Sequence, residues 1–321
     1  MPKPCREGSP LLRKACRSQS FARLAINFSR VFDGRTDIFD VRIRLEFVVL
    51  LEALAHVSRP PSMQHTPMKT SPKIIVCTLI ALLPMAMCFA TAGTVDPAQS
   101  AWHKKYKTQD NAPDPSEMLL NTEKEPELAD GFVPLFNGKD LKGWTPKGGE
   151  CKFEVKKGML VGTCVPGTAS TYLCTDKSDY KNFIFTCEMR WEVDGNSGVM
   201  FRARTKGGKK GVTVFGPQAE MEGITGDRFW SGGIYGQSCG GYFYPVWLKE
   251  HDAARKALDR KGWNRLTISA KGNVVKTWIN GVPVAHWVDQ NEYPDGFFGL
   301  QIHKGSKGQV VWKNIRVKEL P

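Results

Sequence analysis

The chain predicts an all-β protein, an antiparallel β-sandwich. Three observations carry this. Short runs of alternating apolar and polar residues recur from Gly131 onward, the period-2 signature of half-buried strands. Turn residues cut these runs at regular intervals, at Lys156-Lys157-Gly158, Lys271-Gly272-Asn273 and Asn280-Gly281. Only Glu250 to Leu258 has a helical texture.

The predicted strands are 132–135, 153–156, 159–162, 172–175, 183–193, 198–204, 212–215, 218–222, 233–235, 264–271, 274–279, 282–288, 296–302 and 310–319. Asn280-Gly281, between Trp278-Ile279 and Val282, is the strongest hairpin signal, because Asn and Gly tolerate the positive φ of a two-residue turn. Many short strands with frequent turns fit one sandwich of about 190 residues. Trp191, Trp263, Trp278 and Trp312 fall in apolar phase and are expected in its core.

Before that domain the composition divides the chain. Met68 to Lys73 is a short positive stretch, Ile74 to Ala90 an apolar run of 17 residues, and Ala90-Thr91-Ala92 a small-residue cleavage site. This is the layout of a signal peptide over 68–92 and predicts an exported protein, periplasmic or extracellular. The run is short for a spanning helix and Pro84 interrupts it, so no stable membrane span is expected once it is removed. Residues 1–67 are read as an upstream extension produced by a start codon placed too early, with translation beginning at Met68; an authentic basic extension is the alternative. Residues 93–130, rich in Pro, Asp, Glu, Lys and Asn, are expected to be a polar linker with one short helical turn, leaving 131–321 as the folded domain.

The net charge of +13 is concentrated early. The first 92 residues hold 13 Lys/Arg against 6 Asp/Glu, which leaves +6 on the rest. No basic stripe with interleaved aromatics follows, and Lys206 to Lys210 has the look of a solvated hairpin loop, so nucleic acid is excluded as a partner. Five of the nine cysteines, Cys151, Cys164, Cys174, Cys187 and Cys239, follow the signal. Their spacing suits neither a CxxC site nor zinc, and export permits one or two disulfides whose pairing the spacing leaves open.

The second face of the predicted sheet is polar in an unusual way. Asn196 and Arg202 share a parity, as do Gln218, Glu220 and Glu222, and Gln301 and His303. Carboxylates, cations and amides on one strand face make a binding surface. For Glu188, Arg190 and Glu222 the weightier alternative is a cross-strand ion pair. For His303 it is a surface histidine, and for Trp144 a plug at the sandwich edge.

The motifs Phe136-Asn137-Gly138-Lys139-Asp140 followed by Gly143-Trp144, Asn196-Ser197-Gly198, Gly233-Ile234-Tyr235, Trp278-Ile279-Asn280-Gly281, Gly299-Leu300-Gln301-Ile302-His303 and Lys313-Asn314-Ile315-Arg316 occur in an order that resembles the 3-keto-disaccharide hydrolase domain family. The resemblance covers about residues 131–321. It implies a jelly-roll, concanavalin A-like sandwich acting on oxidised glycosides or oligosaccharides, in which the aglycone leaves a 3-keto-glucoside by elimination and the glucal is hydrated. The family's central strand usually reads Gly-x-Glu-x-Gln, whereas here Gly216-Pro217-Gln218-Ala219-Glu220 exchanges amide and carboxylate.

A 3-keto group acidifies the C2 proton, so elimination needs a base, an electrophile at the ketone and an acid at the departing oxygen. Glu220 is the expected base, Arg202 the cation on the keto oxygen and His303 the acid. Asn196, Gln218, Gln301 and Glu188 are expected to bind sugar hydroxyls, and Trp144, Tyr235 and Trp230 to stack on the ring. No cofactor is certain. A divalent metal held by His303 with Glu220 or Glu188 is the open alternative, and the rival function is a non-catalytic, lectin-like carbohydrate-binding module.

Overall fold

The computed structural model describes residues 93–208, 211–290 and 292–321. The expected extension, the signal segment and its cleavage site lie outside the described residues, as do Lys209 and Lys210 of the hairpin loop.

The strands are β1 Val133–Pro134, β2 Trp144–Gly148, β3 Lys152–Lys156, β4 Met159–Thr163, β5 Thr171–Thr175, β6 Phe183–Val193, β7 Ser197–Gly208, β8 Gly211–Met221, β9 Ile234–Gln237, β10 Gly241–Tyr244, β11 Asn264–Lys271, β12 Val274–Ile279, β13 Val282–Val288, β14 Phe297–Ile302 and β15 Gln309–Glu319. They form two antiparallel sheets. One runs β13-β12-β11-β6-β15-β4-β3, with β1 beside β15; the other runs β10-β9-β8-β7-β14-β5-β2. The sandwich is as expected. Its core joins the inner faces: Phe183 and Phe185 of β6 meet Phe298 of β14 with ring centroids 4.7 Å apart in both pairs. Trp312 is fully buried there, and Trp191 nearly so. Trp278 is just as buried but not in this core: it pairs with Thr267 on the opposite face of its strand, where its Nε1 donates to the Glu123 carbonyl at 2.9 Å. Trp263 is instead half-buried, with Arg190 and Lys313 over its ring. The β12–β13 turn has φ of 52° at Asn280 and 86° at Gly281, the positive values that selected this pair.

Three strand expectations change. The segments 212–215 and 218–222 belong to one strand, β8; Gly216, with φ of 125°, and Pro217 interrupt the alternation without ending the strand. Strand β10 was hidden because all four of its residues are buried, so nothing alternates. Strand β2 carries Pro146, which an edge strand tolerates.

The larger correction concerns 93–130. This segment is packed on the sandwich rather than free as a linker. It contains helix α1, Ser100–Tyr106, and two 3₁₀ turns. Asp96 pairs with Arg255 of the short helix α2, Asp252–Lys256, and Gln99, Met118 and Asn121 are buried. Low apolar content concealed the docking, because much of it is made by side-chain hydrogen bonds. Among the described residues no helix is long and apolar enough to cross a membrane.

Candidate functional site

A cavity of about 660 Å³ lies on the outer face of the β10-to-β2 sheet. Asn196, Gln218, Glu220, Tyr235, Gln301 and His303 all line it. Six of the ten expected site residues therefore converge, supplied by β8, β9, the end of β14 and the entry to β7.

The sheet register produces the convergence. Gly198 of β7 pairs with Glu220 on one side and Gln301 on the other. Gln218 of β8 and Gln301 of β14 thus flank β7, and their amides meet across it: Gln218 Nε2 donates to Gln301 Oε1 at 2.8 Å, and Gln301 Nε2 donates to the Tyr172 hydroxyl at 3.2 Å. Gln218 Oε1 is buried without a partner. An acceptor left so costs about 1–3 kcal/mol until a donor reaches it.

Glu220 is 4% exposed. Its Oε1 accepts from Asn196 Nδ2 at 2.5 Å and from Arg228 Nη2 at 3.3 Å, while Oε2 has no partner among the described residues. Burial pushes its carboxyl above the ordinary value, and Arg228 and Asn196 offset this only in part. Arg228 also donates from Nε to Glu222 at 2.7 Å and from Nη1 to the Tyr242 hydroxyl. Burial opposes its charge, but Tyr242 and the carboxylates Glu220 and Glu222 outweigh that. Burial, and then the neighbouring Glu220, likewise keep the Tyr242 and Tyr235 phenols protonated.

His303 follows β14. Its backbone N–H donates to the Asn196 carbonyl at 3.4 Å, and Nδ1–H donates to the Lys304 carbonyl at 2.7 Å, which leaves Nε2 to exchange protons. Burial lowers its pKa, with the Lys304 carbonyl partly compensating.

Four expected residues lie elsewhere. Arg202 sits in a bulge, where β7 carries one residue more than either neighbouring strand and φ reaches 45°. The extra residue reverses the parity, so Ala203 rather than Arg202 shares a cluster with Met200. Arg202 is buried and donates to the Lys181 and Tyr293 carbonyls. Glu188 is on β6, in the other sheet, paired with Lys313 at 3.1 Å. Trp144 is a plug, donating to the Leu135 carbonyl at 2.7 Å. Trp230 is wholly buried beneath Arg228. Glu222 is saturated by Arg228 and by the Phe229 N–H at 2.9 Å.

Sequence reasoning missed Arg228, Tyr242, Tyr172 and Tyr106. Arg228 lies in the aperiodic connection between β8 and β9, and Tyr242 in the strand with no alternation. Among the described residues no three His, Cys, Asp or Glu side chains stand together as metal ligands would. Arg228 already supplies the positive charge between Glu220 and Glu222, so the residues present do not fit a divalent cation there.

A family model described as a 3-keto-alpha-glucoside-1,2-lyase-like domain matches residues 131–318. No curated protein matches the chain. Among solved structures, a candidate glycosyl hydrolase from Parabacteroides distasonis is 22% identical over 62% of this chain and 100% of its own, with a TM-score of 0.43. A Bacillus subtilis protein with a galectin-like fold is 13% identical over 61% and 98%, with a TM-score of 0.40. A carbohydrate-binding module from Bacillus subtilis is 14% identical over 55% and 96%, with a TM-score of 0.37.

Proposed function

The chain belongs to the 3-keto-alpha-glucoside-1,2-lyase-like family, a carbohydrate-active family, and from that premise we propose that it is an exported enzyme that cleaves 3-keto-glucosides by elimination followed by hydration. The observation that supports this most is Glu220: a buried carboxylate with raised pKa and one oxygen free, in a cavity lined by amides and His303.

In this reading Glu220 Oε2 removes the C2 proton, which the neighbouring ketone acidifies. Negative charge develops on the C3 oxygen beside Arg228 and the protonated phenols of Tyr235 and Tyr242. Arg228 takes the part expected of Arg202. The Tyr242 oxygen accepts from Arg228, so its own proton is free to donate to that charge. As the C1=C2 double bond forms, the C1–O bond breaks and the aglycone oxygen takes a proton from Nε2 of protonated His303. Water then adds to C1 and returns a proton to Nε2, while Glu220 returns its proton to C2. One water is consumed and both side chains end as they began. Asn196, Gln218 and Gln301 hold the hydroxyls, with Gln218 Oε1 as the waiting acceptor.

The test is incubation of the purified protein with a 3-keto-glucoside bearing a chromogenic aglycone, with and without chelator. Aglycone release accompanied by transient enone absorbance, insensitive to chelator, is expected. Saturable glycan binding with no release of aglycone would instead make this a binding module.

A further inference from the structure

One end of the cavity is built by residues outside the family-matched domain. Tyr106, the last residue of α1, and Gln109 both line it, and both precede residue 131. They are held tightly. Buried Gln99 accepts from Trp230 Nε1 at 2.8 Å and donates to the Arg228 carbonyl at 3.2 Å. The Tyr106 ring meets Tyr242 edge-on at 5.3 Å, and its hydroxyl accepts from Arg228 Nη1 at 3.4 Å. Gln109 Oε1 accepts the Tyr242 N–H at 3.1 Å. Gly241 makes room for this: a Cβ there would fall 2.2 Å from Gln109 Oε1.

The groups assigned to the reaction lie in sequence across the sheet. His303 is beyond β14, Glu220 is on β8, and Tyr242 is on β10 with Tyr106 against it. A sugar with its C1 oxygen at His303 and C2 at Glu220 directs C3 and C4 toward β10. We propose that Tyr106 and Gln109 form the closed end of this cavity, so that the protein accepts an oxidised sugar only at a non-reducing terminus, with O4 unsubstituted. The proposal rests on the reading of the site given above. It makes the segment before the family domain a specificity element rather than a tether.

The experiment uses the full chain, as wild type, Tyr106→Ala and Tyr106→Phe. The probes are a 3-keto-glucoside and its 4-O-glucosyl derivative, read by kcat/KM and by calorimetric Kd. Wild type should favour the unsubstituted sugar on the order of 100-fold, as steric exclusion from a shaped pocket does. Tyr106→Ala should shrink that ratio about tenfold or more, and Tyr106→Phe should keep it. A wild-type ratio near one, or an unchanged ratio in Tyr106→Ala, overturns the proposal. If neither keto-sugar is turned over but both bind, the lyase reading fails and the ratio of Kd values still decides the closed end. If neither binds, both fail. Should Tyr106→Ala melt out, Gln109→Ala carries the same comparison.

Discussion

The side-chain amides of Gln218 and Gln301 meet at 2.8 Å over Gly198, where a Cβ would lie 2.0 Å from Gln218 Nε2. The glycine of Asn196-Ser197-Gly198 is therefore explained by the pair of amides above it. Gly198→Ala should break the bridge and weaken both fold and binding. Gln218→Leu is the cleaner variant, because it removes the orphaned Oε1 together with the amide. Its melting temperature should change little, because losing the orphaned Gln218 Oε1 is offset by leaving Gln301 Oε1 without its donor, while sugar affinity falls by about 1–3 kcal/mol. A lowered melting temperature with unchanged affinity would give Gln218 a purely structural role.

Glu220→Gln keeps the shape of the side chain and the cavity but removes the base. Turnover of a 3-keto-glucoside should fall about 10²–10⁴-fold with KM little changed. The paired control is Arg202→Met. Arg202 holds two backbone carbonyls away from the cavity, so this variant should lose stability yet keep the wild-type KM. Near-normal turnover in Glu220→Gln would move the base elsewhere.

How far the sequence could be read follows from these residues. Period-2 alternation placed β6, β11, β12 and β13 at their observed ends, because the ladders of β11 with β6 and with β12 run unbroken and β12 turns into β13 through Asn280-Gly281. The same parity argument assembled Asn196, Gln218, Glu220 and Gln301. It failed at Arg202, where a single bulge residue inverts the faces and no sequence pattern marks it. It also failed for Glu188, since alternation assigns a residue to a face but cannot say which sheet holds the strand. Arg228 and Tyr106 lay beyond it altogether. Both come from aperiodic segments, and their positions depend on docking against Trp230 and Tyr242.

The proposed acid and base predict a narrow pH profile. Glu220 must be ionised, so the rate rises with pH through a pKa above 4.5. His303 must be protonated, so the rate falls as pH rises through a pKa below 6.5. The kcat/KM profile should thus be a bell, its acid limb above the ordinary glutamate range and its alkaline limb below the ordinary histidine range. A profile still climbing at pH 8 would remove His303 as the acid.

Trp278 ties the sandwich to the segment before it. Its ring is 1% exposed and its Nε1 donates to the Glu123 carbonyl at 2.9 Å. Trp278→Ala should cost about 3–5 kcal/mol in urea unfolding. A negligible loss would contradict both the burial and the docking of residues 93–130.

Cys151 and Cys164 close the β3–β4 ladder. The register Lys152↔Thr163, continued by one step, sets them opposite each other, and both are buried free thiols. Burial first, and then the neighbouring Cys151, push the Cys164 thiol up. Facing residues of an antiparallel pair have Cα atoms about 4.5–5.5 Å apart, within the span of a disulfide. With glutathione disulfide as oxidant, the two thiols should give up two electrons and two protons and join. Closing a loop of about 14 residues contributes about 3 kcal/mol. Reduction should then lower the melting temperature by roughly 6–12 °C for a domain of this size. Peptide mapping of the oxidised protein should find Cys151 linked to Cys164, with Cys174, Cys187 and Cys239 still alkylatable after unfolding. Recovery of Cys151 and Cys164 as separate alkylated thiols, or either one joined to Cys239, would refute the pairing.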